Sequence, residues 1–187
     1  MKGKVDDVSA LFQGHGLQIL ALNETWHEGY DTGAIKRLRG MGFTVLEEAR
    51  PRSSQVSEDS IRWSNNDGIA VVARQGLRLT KVSIGLSFKT FEYMCCRVSS
   101  GGASFTHVIV YRPGSENITY AFHKEIQSLL ERTDSFSGPL YITGDVNIHL
   151  EKIIRMVTDW NLTGYWRMLV PRNGCPVLHT MMMERWM

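Results

Sequence analysis

The chain has 187 residues and a mass of 21.2 kDa, the size of one domain with enough length to bury a core. Hydrophobic residues make up 43% and charged residues 21%, a balance that excludes collagen, a coiled coil and wholesale disorder. Lys+Arg 21 against Asp+Glu 19 leave a formal charge of +2, too small to argue for or against nucleic acid by electrostatics alone.

In chain order, Val5, Val8, Leu11 and Phe12 recur at three- and four-residue spacing and predict a short amphipathic helix over 5–13, broken by Gly14 and Gly16. The apolar run 17–22 predicts a buried strand ending at Asn23-Glu24. A helical turn over 33–40 closes at Gly40 and Gly42, and 43–47 reads as a strand. The Ser- and Asn-rich stretch 51–67 reads as a long polar loop. Strand-like runs follow at 68–74, 77–84, 91–99 and 105–111, with Gly101-Gly102 as a hairpin signal. Tyr120, Phe122, Ile126, Leu129 and Leu130 form the apolar face of a helix predicted over 119–132. A further buried strand, 140–146, runs into Asn147. Past Glu151 the pattern is poor, with a helix at 151–160 and then a tail rich in Met, Arg and Trp. Strands interleaved with helices argue for an α/β layered sandwich, sheet packed on sheet.

Three places carry chemistry. In Gly144-Asp145-Val146-Asn147, side-chain alternation along a strand would point Asp145 and Asn147 the same way. A carboxylate and an amide at the end of an apolar strand cost desolvation unless something uses them, although the same residues also suit a turn. Glu24 ends the other strongly apolar strand and is followed by Thr25-Trp26. It reads either as an exposed strand-end acid or, with Asp145, as the pair of carboxylates magnesium favours. Tyr111 precedes Arg112-Pro113 at a strand end, so its phenol reads either as a phosphate contact or as a half-buried core group.

The segments Leu20-Ala-Leu-Asn-Glu-Thr-Trp26, Tyr111-Arg-Pro113 and Tyr141-Ile-Thr-Gly-Asp-Val-Asn-Ile-His149 occur in that order. Phe91-Glu92 lies between the first two, and an amphipathic helix between the last two. Together they resemble the endonuclease/exonuclease/phosphatase superfamily, and more narrowly the apurinic-like endonuclease domain of non-LTR retrotransposon proteins. The resemblance covers about 4–151. It implies an incomplete four-layer α/β sandwich of two mainly antiparallel sheets flanked by helices, and Mg2+-dependent (or Mn2+-dependent) phosphodiester hydrolysis. It also implies roles for four residues. Glu24 and Asp145 would be metal ligands, with Asp145 also orienting or deprotonating the attacking water. Asn147 would hold that water or the phosphate, and Tyr111 would contact the phosphate. DNA is the implied partner, nicked to prime reverse transcription, and the implied location of a working enzyme is the nucleus.

The chain also departs from that pattern. The family's first strand, which carries an Asn near the metal, has no counterpart, nor do its closing Asp and Asp-His residues within 152–187. Impaired activity, exposed sheet edges and marginal stability are therefore expected. The residues 152–187 read as a divergent tail, and codon degeneracy lets Met181-Met-Met-Glu-Arg-Trp-Met187 be an out-of-frame translation of the family's late motif. Two readings compete with the nuclease: a catalytically dead fragment that binds DNA or protein, and a phosphoinositide-type phosphatase. No apolar run reaches the roughly 18 residues of a membrane span. The first residues carry no secretory signal, and three cysteines, Cys95, Cys96 and Cys175, have no metal-ligand spacing. An intracellular protein without membrane segment or small-molecule cofactor is expected. Arg37, Arg39, Arg50, Arg52 and Arg62 flank the polar loop and read either as a DNA groove or as solvated surface.

Overall fold

The computed structural model describes residues 4–25, 33–48, 68–114 and 117–147, and the backbone of two later strands, Trp166–Leu169 and Met182–Arg185. The predicted loop 51–67 and helix 151–160 lie outside the described residues. The fold is α/β, with two mainly antiparallel sheets and accompanying helices. Two compact units make it up, the first from 1–81 with 98–102, the second from 82–97 with 103–187.

In the first unit, α1 (Val5–His15) buries Val5, Val8, Ser9 and Phe12 on one stripe, the spacing of a core-facing helix. Leu11 falls off that stripe and is exposed. The helix passes through Gly14, where a break was expected, and stops at Gly16, whose φ of 62° is left-handed. One interior glycine costs only about 1 kcal/mol, whereas a left-handed residue cannot continue the hydrogen-bond ladder. Helix α2 (Gly33–Gly40) buries Ile35 and Leu38. These helices share a core with Val45 and Val72 of a three-stranded sheet.

That sheet runs β1-β3-β2, with β1 (Ile19–Leu22), β2 (Thr44–Glu48) and β3 (Ile69–Ala73) paired antiparallel. Ala73 faces both Ile19 and Thr44 across its two neighbours. All five residues of β3 are buried, while all four of β1 are only half-buried. The expectation of a buried first strand is therefore corrected, because an edge position leaves one side of the strand uncovered. Arg74 ties the end of β3 to α1, its guanidinium donating to the carbonyls of Leu17 (2.7 Å) and Phe12 (2.6 Å). Strand β4 (Arg78–Lys81) belongs to the same unit, and Lys81 pairs with Glu48. Arg37 makes an ion pair with Asp6 in which both side chains are mostly exposed, as solvated surface does.

In the second sheet β5 (Glu92–Ser100), β6 (Ala103–Tyr111), β7 (Leu140–Asp145), β9 (Met182–Arg185) and β8 (Trp166–Leu169) are successive neighbours, and all but Val98–Ser100 of these strands belong to the second unit. Gly101 and Gly102 turn β5 into β6 with φ of 56° and 88°, the primed hairpin turn that the glycine pair predicts. Strands β6 and β7 are parallel, and β9 pairs antiparallel with β7. A parallel pair requires a crossover, supplied here by α3 (Tyr120–Asp134). Thr119 caps that helix, its Oγ accepting the Phe122 N–H at 3.2 Å. Phe122, Ile126, Leu129, Leu130 and Thr133 are buried. Tyr120 is 74% exposed, which corrects its place on the apolar face: two residues before Phe122 is about 200° round the helix.

The helix packs on Val108, Val110, Leu140 and Ile142. Burial of each such side chain contributes about 1.5–3 kcal/mol. Glu125 clamps the preceding loop, accepting from the N–H groups of Lys89 and Thr90 and from the Thr90 hydroxyl (2.7 Å). Burial alone would raise its carboxyl pKa, but the Thr90 and Lys89 hydrogen bonds outweigh that and hold it below the usual range. Among the described residues no helix is long and apolar enough to cross a membrane.

On the opposite face of β6 and β7, His107 is buried and bonds Thr143, its Nε2 lying 2.8 Å from Oγ1. Its Nδ1 has no partner. Burial pushes the imidazole down to about 4, from an ordinary value of 6.5. The folded state thus takes up its proton at lower pH than the unfolded chain, so stability falls as pH drops from about 6.5 to about 4. Urea denaturation should show this loss, on the order of 3 kcal/mol across the window, and His107→Gln should lack it. An equal acid sensitivity in the variant would show that His107 is not its source.

Candidate active site

Parallel pairing sends the carboxyl ends of β6 and β7 to the same rim of the sheet. The register sets Tyr111 opposite Asp145, and the Arg112 N–H donates to the Asp145 carbonyl at 2.9 Å as the last rung. Gly144 makes this rim possible. Its φ is 142°, and a Cβ there would lie 1.8 Å from the Val110 carbonyl oxygen. Only a residue without a side chain lets the strand pass so close.

Beyond Asp145 the strand stops. Asn147 takes a left-handed φ of 49°, and its N–H donates to Asp145 Oδ1 at 2.9 Å. Its side-chain Nδ2 donates to the Arg112 carbonyl at 2.8 Å, and Gly114 packs so closely that a Cβ would sit 3.0 Å from Asn147 Oδ1. The alternation expected of a continuing strand is therefore corrected. Asp145 and Asn147 are neighbours because an Asx turn closes on itself, not because they share a strand face. Tyr111 is 3% exposed, more deeply buried than a half-buried core group.

Glu24 stands at the end of β1 in the first unit, followed by a Thr25 N–H bonded to the Gly68 carbonyl at 3.2 Å. Next to it, Asn23 Oδ1 is buried without a partner. The structure thus brings Tyr111, Asp145 and Asn147 together in the second unit, and sets Glu24 at a strand end of the first. Among the described residues, Glu24 (φ 52°) and Asn147 (φ 49°) are the only non-glycine residues with positive φ. Such backbone costs of order 1–3 kcal/mol and concentrates at functional sites.

Among the described residues no three His, Cys, Asp or Glu side chains gather into a ready-made metal cage. Magnesium needs less, one or two carboxylates with the remaining positions taken by water and substrate oxygens. Asp145 fits that requirement, its Oδ1 fixed by the Asn147 N–H and Oδ2 left as the second carboxylate oxygen. Two contributors were missed by the sequence reading. Arg112 carried no role there, and Gly144 was only part of a motif; a glycine just before the acid of an apolar strand was the available signal.

No family model and no curated protein matches the sequence. Solved structures resemble its fold. The human Nocturnin catalytic domain is 17% identical, with a TM-score of 0.64 over 98% of this chain and 74% of that one. An endonuclease/exonuclease/phosphatase family protein from Bacteroides thetaiotaomicron is 11% identical, with a TM-score of 0.60 over 98% of this chain and 74% of that one. The endonuclease domain of TRAS1, a telomere-specific non-LTR retrotransposon, is 12% identical, with a TM-score of 0.58 over 98% and 79%. The chain therefore has the endonuclease/exonuclease/phosphatase fold, as the resemblance in its motifs implied.

Gly144→Ala should destabilise the protein by at least about 3 kcal/mol or prevent folding, since clash and φ strain combine. Gly138 has a positive φ (87°) with nothing within 4 Å of an added Cβ. Gly138→Ala should therefore cost only the conformational term, about 1–2 kcal/mol. Urea denaturation of both variants tests this, and equal losses would contradict the close approach at Gly144.

Proposed function

We propose that the chain is a hydrolase of phosphodiesters, specifically a Mg2+-dependent (or Mn2+-dependent) DNA-nicking endonuclease of retroelement type. The observation that carries this reading is the paired backbone strain at Glu24 and Asn147, two residues the sequence motifs single out for chemistry. The fold shared with an endonuclease domain of a non-LTR retrotransposon supports it.

Under this reading Asp145 would be a ligand of the divalent ion, and so would Glu24 as the sequence resemblance implies. When bound, that ion supplies Lewis acidity toward the phosphate. Asp145 orients the attacking water and accepts its proton. The Asn147 amide steadies the water or a phosphate oxygen. The Tyr111 hydroxyl donates to the phosphate. Duplex DNA is the substrate, and the nucleus is where such an enzyme would work. Catalysis of this kind rests largely on positioning, where a displacement near 1 Å costs about a hundredfold. The Asp145 hydrogen bond from Asn147 and the Arg112 rung provide that rigidity.

The purified chain should convert supercoiled plasmid to nicked circles over hours with Mg2+ or Mn2+, and EDTA should stop it. Asp145→Ala should lower the rate at least about a hundredfold. Nicking that survives Asp145→Ala, or none with either metal, would overturn the proposal.

A further inference from the structure

The geometry points to Arg112 as a positioning residue that sets the Asp145–Asn147 turn and acts on the chemistry through it, an inference that rests on the function proposed above. Arg112 is 1% exposed. Removing a guanidinium from water is costly unless its donors find acceptors. The acceptors here are specific. Nη1 donates to the Val146 carbonyl at 3.2 Å and to the Asn147 carbonyl at 3.3 Å. Both carbonyls follow the end of β7, where the strand ladder no longer supplies donors. The guanidinium rests over the Phe122 ring, 5.4 Å from its centroid, so α3 provides the floor from which it reaches the turn.

The main chain of Arg112 completes the arrangement. Its N–H donates to the Asp145 carbonyl, and its own carbonyl accepts from Asn147 Nδ2. One residue therefore touches all three positions from Asp145 to Asn147, two of which are assigned to the water and the phosphate. Its guanidinium is engaged with those carbonyls and rests on Phe122, so its influence is to fix where the Asp145 carboxylate and the Asn147 amide stand. Lysine carries the same charge on a point-like head without the planar guanidinium face that lies over the Phe122 ring. It should hold the two carbonyls less firmly. An apolar side chain of similar length should hold neither.

The test uses the full chain with Arg112→Met and Arg112→Lys, and reads two quantities. Hydrogen exchange by NMR should show the Asn147 backbone amide exchanging at least about tenfold faster in Arg112→Met, with the core amides of Val108 and Ile142 unchanged. Arg112→Lys should fall between it and the wild type. In plasmid nicking, kcat should drop at least about tenfold in Arg112→Met with KM for DNA within about twofold, and Arg112→Lys should recover part of the loss. Unchanged Asn147 exchange in Arg112→Met overturns the inference, as does a loss expressed mainly in KM, which would mean direct contact with DNA. A wild-type protein that fails to nick DNA defeats the proposed activity, and the exchange rates then decide the role of Arg112 without it. If Arg112→Met does not fold, Arg112→Lys with wild-type Asn147 exchange and wild-type kcat overturns the inference, and faster exchange with a lowered kcat supports it.

Discussion

The structure of the second unit depends on the parallel pairing of β6 with β7. That ladder puts Tyr111 and Asp145 side by side at one rim, and the long connection it demands becomes the helix that covers the aliphatic face. Phe122 belongs to both consequences. It is buried in the core under Val108 and Val110, and its ring is the surface on which the Arg112 guanidinium lies. Core and candidate site therefore share atoms, and the rim inherits the stiffness of packed interior. The contact at Gly144 belongs to the same constraint: the carbonyl of Val110 occupies the space a side chain would need.

A strand pairing alone does not produce a site; the chain must leave the sheet in a way that keeps polar groups at the rim. At Asn147 the exit is a left-handed residue, braced by Asp145 Oδ1 and by the Arg112 carbonyl. Asparagine tolerates that conformation better than most residues. Glutamate does not share that tolerance, yet Glu24 adopts it at the end of β1. Strain of that kind persists where the surroundings over-determine the backbone. Here it falls on both of the strand ends that carry acidic motif residues.

Much of this was readable in the residues. As far as Asp145 periodicity placed the helices and strands within a few positions, because each buries one face and therefore repeats at 3.6 or 2, whereas β8 and β9 lie in the tail where no period was legible. What periodicity could not give was rank within a sheet. The runs 17–22 and 68–74 look equally apolar, yet one became a half-buried edge and the other a fully buried centre, since coverage depends on neighbours supplied from elsewhere in the chain. Glycine was ambiguous for a similar reason: Gly14 is helical and Gly16 ends the helix, and only backbone geometry separates them. Asp145 and Asn147 were legible as a pair, though the turn rather than strand alternation joins them. Arg112 was not, because a basic residue between an aromatic and a proline has the look of solvated surface, and its burial follows from where α3 lies.

The two faces of β6 and β7 show why site and stability are hard to separate in this unit. Side chains alternate along a strand, so Val108, Val110, Leu140 and Ile142 face α3. His107, Ile109, Tyr111, Tyr141, Thr143 and Asp145 then share the other face, a placement the His107–Thr143 hydrogen bond corroborates. His107, Tyr111 and Thr143 are buried, and buried polar groups are tolerated when they bond one another or the backbone. The unpaired Nδ1 of His107 marks where that condition is incompletely met. The buried His107–Thr143 pair is a poor choice for stability alone, since aliphatic residues would fill its place at lower cost. That pair makes physical sense as a support for Asp145, because it ties β7 to β6 two residues before the carboxylate and removes freedom from the strand that carries it.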